Sequence, residues 1–362
     1  MNALFHSRLE RAELLHWLTT DDPAPLWQAA DEARAHYAGD AVHLRALIEI
    51  GNCCVRQCAY CGLRAGNRHL LRYRMSMDEI TQCARQAAIY GFGTVVLQSG
   101  EDPAVSSEDI AALIRQIKSE TALAVTLSLG EREEEELAQW KEAGADRYLL
   151  RFETSDPILF DSIHPSLPHR QSDRIALLHF LRSIGYEIGS GMMVGIPGQT
   201  WESLARDIEL LRELDLDMIG IGPFIPNPHT PLGQRNGDPL PHQIPPTEEM
   251  TYRVLALARL ACPRANIPST TALATLNPVN GHELAFQRGA NVVMPNITPE
   301  KYRARYQLYP GKTSVDATSD EGRLSIQRRI LSLGRKIGQG AGCSPRYQQC
   351  STSNALCCAA SI

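Results

Sequence analysis

The chain has 362 residues, 43% hydrophobic and 21% charged, with a formal net charge of −5. This is the composition of a folded globular protein, and the acidic balance argues against nucleic acid or an anionic membrane as the main partner. No apolar run approaches the roughly 20 residues that span a bilayer.

The N-terminus, MNALFHSRLERAELLHWL, alternates charged and apolar residues and lacks an apolar signal core, so a cytoplasmic location is expected. Residues 3 to about 43 read as two helices, the second (PLWQAADEARAHYAG) closing at Gly39. From there short apolar runs alternate with amphipathic stretches at intervals of roughly 25–35 residues, the rhythm of parallel βα units. The strand candidates are 44–51, 94–99, 123–129, 146–151, 186–194, 217–222, 265–271 and 291–295. Helices fall between them, such as SMDEITQCARQAAIYG (76–91), which opens on a Ser cap and ends at a Gly. Eight comparable units predict an α/β fold: a (βα)8 TIM-type barrel over 44–338 with an N-terminal helical extension, 1–43. A doubly wound open sheet is the rival, disfavoured because no unit reads as an edge strand. Residues 339–362 are rich in Gly, Ser, Gln and Cys without apolar periodicity, which predicts a flexible, disordered tail. Its Cys343, Cys350, Cys357 and Cys358 read as incidental thiols before metal ligands, and Cys83 and Cys262 as small buried hydrophobes.

In a barrel of this type the chemistry sits where the strands end. Polar residues gather there: Gln98, Ser99, Gly100 and Glu101 after the second strand, Thr126 and Ser128 on the third, Arg151 and Glu153 after the fourth. Met192 and Met193 follow on the fifth, Met218 lies on the sixth, and Thr270 and Thr271 end the seventh. After the first strand comes NCCVRQCAYCGLR (52–64), in which Cys54, Cys58 and Cys61 are spaced Cys-x3-Cys-x2-Cys. Cytoplasmic thiols stay reduced, so the cluster points to metal. Four thiolates suit structural zinc or an electron-storing cluster, whereas three leave one coordination site open for a small ligand. Zinc would need Cys53 or a distant residue as fourth ligand, and adjacent Cys53 and Cys54 cannot easily chelate one ion.

The spacing, with Tyr60 before the third cysteine and a strand just upstream, resembles the radical S-adenosylmethionine (SAM) superfamily signature. The resemblance implies that Cys54, Cys58 and Cys61 hold one 4Fe–4S cluster whose unique iron binds SAM and whose electron cleaves it to a 5′-deoxyadenosyl radical. Ser99-Gly100-Glu101 resembles the family's Gly-Gly-Glu element, which receives the SAM ammonium. Tyr60, Glu153 and Arg174 are implied as further SAM contacts, Arg174 at its carboxylate, with backbone near Met218 beside the adenine.

Longer stretches resemble HydE-type maturases of FeFe-hydrogenase: YCGLR (60–64), RYRM (72–75), VLQSGEDP (96–103), VTLSLGE (125–131), KEAGADRYLLRFET (141–154), GIGPFIPNPHTPL (220–232), ANVVMPN (290–296) and YQLYPGK (306–312). That family is similar in fold to biotin synthase and methylornithine synthase. It implies a substrate of iron carrying cysteine, carbon monoxide and cyanide, attacked at the cysteine sulfur during assembly of the di-iron subcluster. Gln98, Thr126, Arg151, Thr270, Thr271, Met294 and Tyr306 are the implied substrate residues. A HydG-type donor, a HydF-type scaffold and a ferredoxin or flavodoxin are the implied partners. Some members carry a second cluster on three cysteines after YPGK; the matching positions here are Ser314, Gly322 and Ser325, so none is expected. The alternatives are another radical SAM reaction, such as amino-acid rearrangement or sulfur insertion, and an iron–sulfur carrier that cleaves no SAM.

Overall fold

The alternation of apolar runs and amphipathic helices closes on itself in space. The computed structural model describes residues 9–168, 170–235, 243–312 and 320–345. Two N-terminal helices, α1 (Arg11–Thr19) and α2 (Ala24–Ala38), precede eight parallel strands: β1 (Ala41–Gly51), β2 (Thr94–Ser99), β3 (Ala124–Ser128), β4 (Arg147–Leu149), β5 (Glu187–Val194), β6 (Met218–Pro223), β7 (Pro268–Ser269) and β8 (Val292–Val293). Their order is β6-β5-β4-β3-β2-β1-β8-β7. The gap between the end strands is bridged by Ile219, whose N–H donates to the Asn266 carbonyl at 2.9 Å. All eight strand candidates are present, and the barrel is nearly closed.

Strand periodicity sorts the side chains. Ala46, Ile48 and Ile50 of β1 join the apolar core with Val95 and Leu97 of β2. Leu47, Glu49 and Gln98, of opposite parity, face the interior cavity. The surrounding helices bury matching stripes. In Ser107–Glu120 the buried residues are Ile110, Ala111, Leu113, Ile114 and Ile117, at the spacing of one helical face. The helix Met77–Ile89 starts at Ser76, which accepts from the Glu79 N–H in a capping box.

The described part of the C-terminal segment, which runs to residue 345, packs against the barrel. A ninth strand, β9 (Lys336–Ile337), pairs with the start of β1. The next residues plug the barrel floor. The Ala341 carbonyl accepts from Thr94 Oγ1 at 2.8 Å and Arg147 Nη2 at 2.9 Å, and the Gly342 carbonyl from Arg45 Nη2 and Asn266 Nδ2, both at 3.0 Å. Ser344 donates to Glu187 Oε1 at 2.9 Å and Asp217 Oδ1 at 3.0 Å. Buried charges at the open end of a barrel need partners, and this segment supplies them, which composition alone does not reveal. Cys350, Cys357 and Cys358 lie outside the described residues. Truncation after Gly338 is therefore expected to cost about 3 kcal/mol or more, since several buried groups each lose a partner worth about 1–3 kcal/mol. Urea unfolding measures it, and a loss below about 1 kcal/mol would show the plug to be passive.

Candidate active site

The loop after β1 is built from its own carbonyls and one arginine. Arg72 donates through Nη1 to the carbonyls of Asn52 (2.6 Å) and Leu63 (2.7 Å), and through Nη2 to those of Arg64 (2.7 Å) and Asn67 (3.2 Å). Asn52 Nδ2 holds the Leu71 and Arg305 carbonyls at 2.9 and 2.8 Å. Loop backbone without regular structure is thereby satisfied. The result directs Cys54, Cys58 and Cys61 onto the wall of one cavity of about 340 Å³. Cys53 points away and donates to the Tyr73 carbonyl at 3.7 Å.

Under the loop lies a buried ionic chain. Arg56 Nε meets Glu101 Oε1 at 2.8 Å and Arg56 Nη2 meets Glu131 Oε2 at 3.0 Å. Arg174 Nε donates to Glu131 Oε1 at 2.8 Å and Arg174 Nη1 to the Arg151 carbonyl at 2.6 Å. Its remaining nitrogen contacts His164 Nε2, whose ring burial and then Arg174 hold at a pKa of about 3, hence neutral. Glu101 Oε2 accepts from the Glu131 N–H at 2.9 Å. Both Glu101 oxygens are thus engaged within the protein.

Glu153 occupies the left-handed region with φ 65°, an uncommon conformation for a residue with a Cβ. Its N–H donates to the Gly191 carbonyl at 3.0 Å and its own carbonyl accepts from the Met193 N–H at 3.0 Å, which fixes the conformation. The side chain enters the cavity, where Oε1 accepts from Tyr60 Oη at 3.4 Å and Oε2 lies 2.9 Å from Arg151 Nη2.

Of the candidate residues, the cavity brings together the three cysteines with Tyr60, Gln98, Ser99, Gly100, Glu101, Arg151 and Glu153. It also gathers Arg174, Thr270, Thr271, Met294 and Tyr306. Two fall elsewhere. Met218 is the first residue of β6, at the barrel floor, where its sulfur accepts from Arg45 Nη1 at 2.9 Å. Gly220 and Gly222, further along the same strand, line the cavity instead. Thr126 shares the inward parity of Ser128 but sits one layer below it, buried and outside the lining, with its hydroxyl unpartnered among the described residues. Of the positions matched to a second cluster, Ser314 lies outside the described residues, and Gly322 and Ser325 stand on the helix Asp320–Ser332. Sequence reasoning missed Glu49, Glu131, His164, Tyr309 and Lys312. The last two stand in YQLYPGK and Glu131 in VTLSLGE, stretches quoted above only for their resemblance.

The residues suit a cluster with an open iron. Cys54, Cys58 and Cys61 share one cavity wall, a set of three thiols of the kind that holds an iron–sulfur cluster. Burial pushes all three thiols up, that of Cys58 to about 12, so metal binding is what would keep them as thiolates. Backbone room is reserved beside them. A Cβ on Gly100 would lie 2.3 Å from the Cys53 carbonyl oxygen and 2.7 Å from Cys54 Cβ.

Residues 48–211 match the Radical SAM superfamily. The FeFe-hydrogenase maturase subunit HydE of Thermotoga maritima is 46% identical over 318 residues, 88% of this chain and 88% of that protein. The crystal structure of methylornithine synthase superposes with a TM-score of 0.77 at 26% identity, covering 93% of this chain and 96% of the other. The FeFe-hydrogenase maturase HydG from Carboxydothermus hydrogenoformans shares the fold, with a TM-score of 0.73 at 19% identity over 91% of this chain and 76% of its own. Among the described residues no helix is long and apolar enough to cross a membrane. Identity of 46% over 88% of this chain makes it a member of the HydE family of FeFe-hydrogenase maturases and hence a radical SAM enzyme.

Proposed function

We propose that the protein converts an iron–cysteine complex bearing carbon monoxide and cyanide during assembly of the hydrogenase di-iron subcluster. The observation that carries this reading is a single cavity whose lining holds the cysteine loop together with Thr270, Thr271 and Tyr306. Cys54, Cys58 and Cys61 would hold one 4Fe–4S cluster. When bound, cluster and SAM supply a 5′-deoxyadenosyl radical for attack on the substrate's cysteine sulfur.

Around that chemistry the protein's own groups position and exclude. Glu153 and Arg174 would hold the polar ends of SAM, with Ser99 and Gly100 beside its ammonium and the Gly220–Gly222 stretch near its adenine. Glu101, with both oxygens committed, serves chiefly to anchor Arg56 of the cysteine loop. Arg151, Gln98 and Thr271 offer donors for carboxylate and cyanide, while the Thr270 hydroxyl already donates to the Ile221 carbonyl at 3.0 Å and shapes the wall beside them. Met294 adds a soft apolar wall. A HydG-type enzyme would supply the substrate, a HydF-type scaffold would receive the product, and a ferredoxin or flavodoxin would deliver electrons, in the cytoplasm. No second cluster is part of this reading.

The test separates the two halves of the cavity. Tyr306→Phe keeps the ring, which is 1% exposed, and removes only the hydroxyl. SAM should bind and shift the cluster's electronic spectrum as in the wild type, while conversion of the iron complex slows by roughly tenfold or more, the worth of one buried hydrogen bond. Loss of SAM binding with turnover intact would reverse the assignment. A second reading, amino-acid rearrangement, is favoured by the 0.77 superposition on methylornithine synthase. An organic isomer accumulating in place of an altered iron complex would establish it.

A further inference from the structure

β1 leaves its ladder beside the cavity. Glu49 pairs with Gln98, but Gly51 pairs with Ser99, so the register slips between Glu49 and Gly51. Side chains take over the backbone there. The Glu49 N–H donates to Thr298 Oγ1 and the Tyr73 hydroxyl donates to the Glu49 carbonyl, both at 2.8 Å. Bulges of this kind re-aim a side chain.

The Glu49 side chain is 1% exposed and faces the cavity. One carboxylate oxygen pairs with the Lys312 ammonium, and Oε2 has no hydrogen-bond partner among the described residues. A buried carboxylate oxygen left unpaired is costly unless a ligand completes it. Lys312 is held in place by the Tyr306 carbonyl at 3.3 Å and by the Tyr306 ring, 4.6 Å below its ammonium. Lys312, Tyr306 and Tyr309 line both the cavity and an outer groove of about 820 Å³. Opposite charges therefore stand side by side where groove and cavity meet.

We propose that this pair reads the amino-acid part of the substrate: Glu49 Oε2 accepts from the amine N–H, and Lys312 faces the carboxylate, as the substrate enters through the outer groove. The inference rests on the proposed function, in which the substrate carries cysteine. It adds a specificity element that the cluster and SAM residues do not supply. A site built to bond an N–H group rejects an analogue lacking it, because its own polar group is then left unpaired.

The experiment compares two iron–carbonyl–cyanide complexes, one of L-cysteine and one of 3-mercaptopropionate, the same chain without the amine. Binding and turnover of each are measured on the reconstituted full-length protein with SAM. The wild type should prefer the cysteine complex by at least about tenfold. Glu49→Met, which keeps the length of the side chain but removes both acceptor oxygens, should reduce the preference to within about twofold. Because that variant strands Lys312, the double variant Glu49→Met/Lys312→Met, which buries neither charge, is measured alongside. Binding gives the ratio even where turnover is lost, and Lys312→Met alone should retain the preference. A preference that persists in the double variant, or is absent from the wild type, overturns the role of Glu49 and leaves the proposed function standing. A wild type that cleaves SAM yet binds neither complex would defeat the proposed function and this inference with it.

Discussion

Cys58→Ser is expected to lower 5′-deoxyadenosine formation from SAM by at least about 100-fold, while the barrel stays folded. Removing an outer partner of a metal ligand already costs 10–100-fold, and Cys58 is proposed as a ligand itself. Its side chain lies on the cavity wall and belongs to neither apolar cluster of the core, so the fold does not lean on it. A serine hydroxyl at that place is a far harder and more basic donor than a thiolate, and iron–sulfur clusters are held by thiolates. The measurement pairs product quantification with circular dichroism and a thermal melt. Undiminished SAM cleavage by a folded variant would remove Cys58 from the cluster and undo the reading of the loop.

Arg56→Met is expected to lose about 3–5 kcal/mol of stability, the usual cost of stripping one partner from a buried ion pair. The Arg56 side chain is 2% exposed and bridges Glu101 and Glu131, themselves 7% and 3% exposed. Without it two buried carboxylates face each other across the cavity wall with Arg174 as the remaining cation. Acid should expose the same network. Burial by itself would raise the Glu131 carboxyl, but the Arg174 guanidinium, the hydrogen bonds from Arg174 and Ser172, and Arg56 together bring it below its ordinary value of 4.5. A depressed folded pKa means stability that is present above the unfolded value and lost as pH falls through the folded one. In Arg56→Met one of those cations is missing, so the acid-side loss should begin at higher pH than in the wild type. Urea midpoints at neutral pH and across the acid range decide it. A loss below about 1 kcal/mol at neutral pH, with an unshifted acid limb, would mean the chain of charges contributes nothing net.

Local pattern carried much of this protein. The Cys-x3-Cys-x2-Cys spacing is a property of eight consecutive residues, and the inward parity of Gln98 or Arg151 follows from a two-residue period once its strand is placed. The existence of eight strands, the Ser76 cap and the amphipathic helices are likewise written in short stretches, because periodicity and capping act between neighbours. Depth along the barrel is not legible in this way. Met218 opens its strand and Gly222 stands four residues on, a rise of roughly 13 Å, which separates the floor from the site. Nor did Gly-Ser-Cys composition show that Ala341, Gly342 and Ser344 would meet buried Arg147, Arg45 and Asp217.

The sequence by itself determined the α/β repeat, the cysteine loop and the family, since each rests on residues close together in the chain or on identity along it. Only the tertiary structure decided that Cys53 turns away, that Glu101 is committed to Arg56, and that Lys312 reaches across 263 positions to Glu49. Those pairings join distant stretches, and they arise because burial leaves a charge no alternative to whatever partner the closed barrel brings beside it.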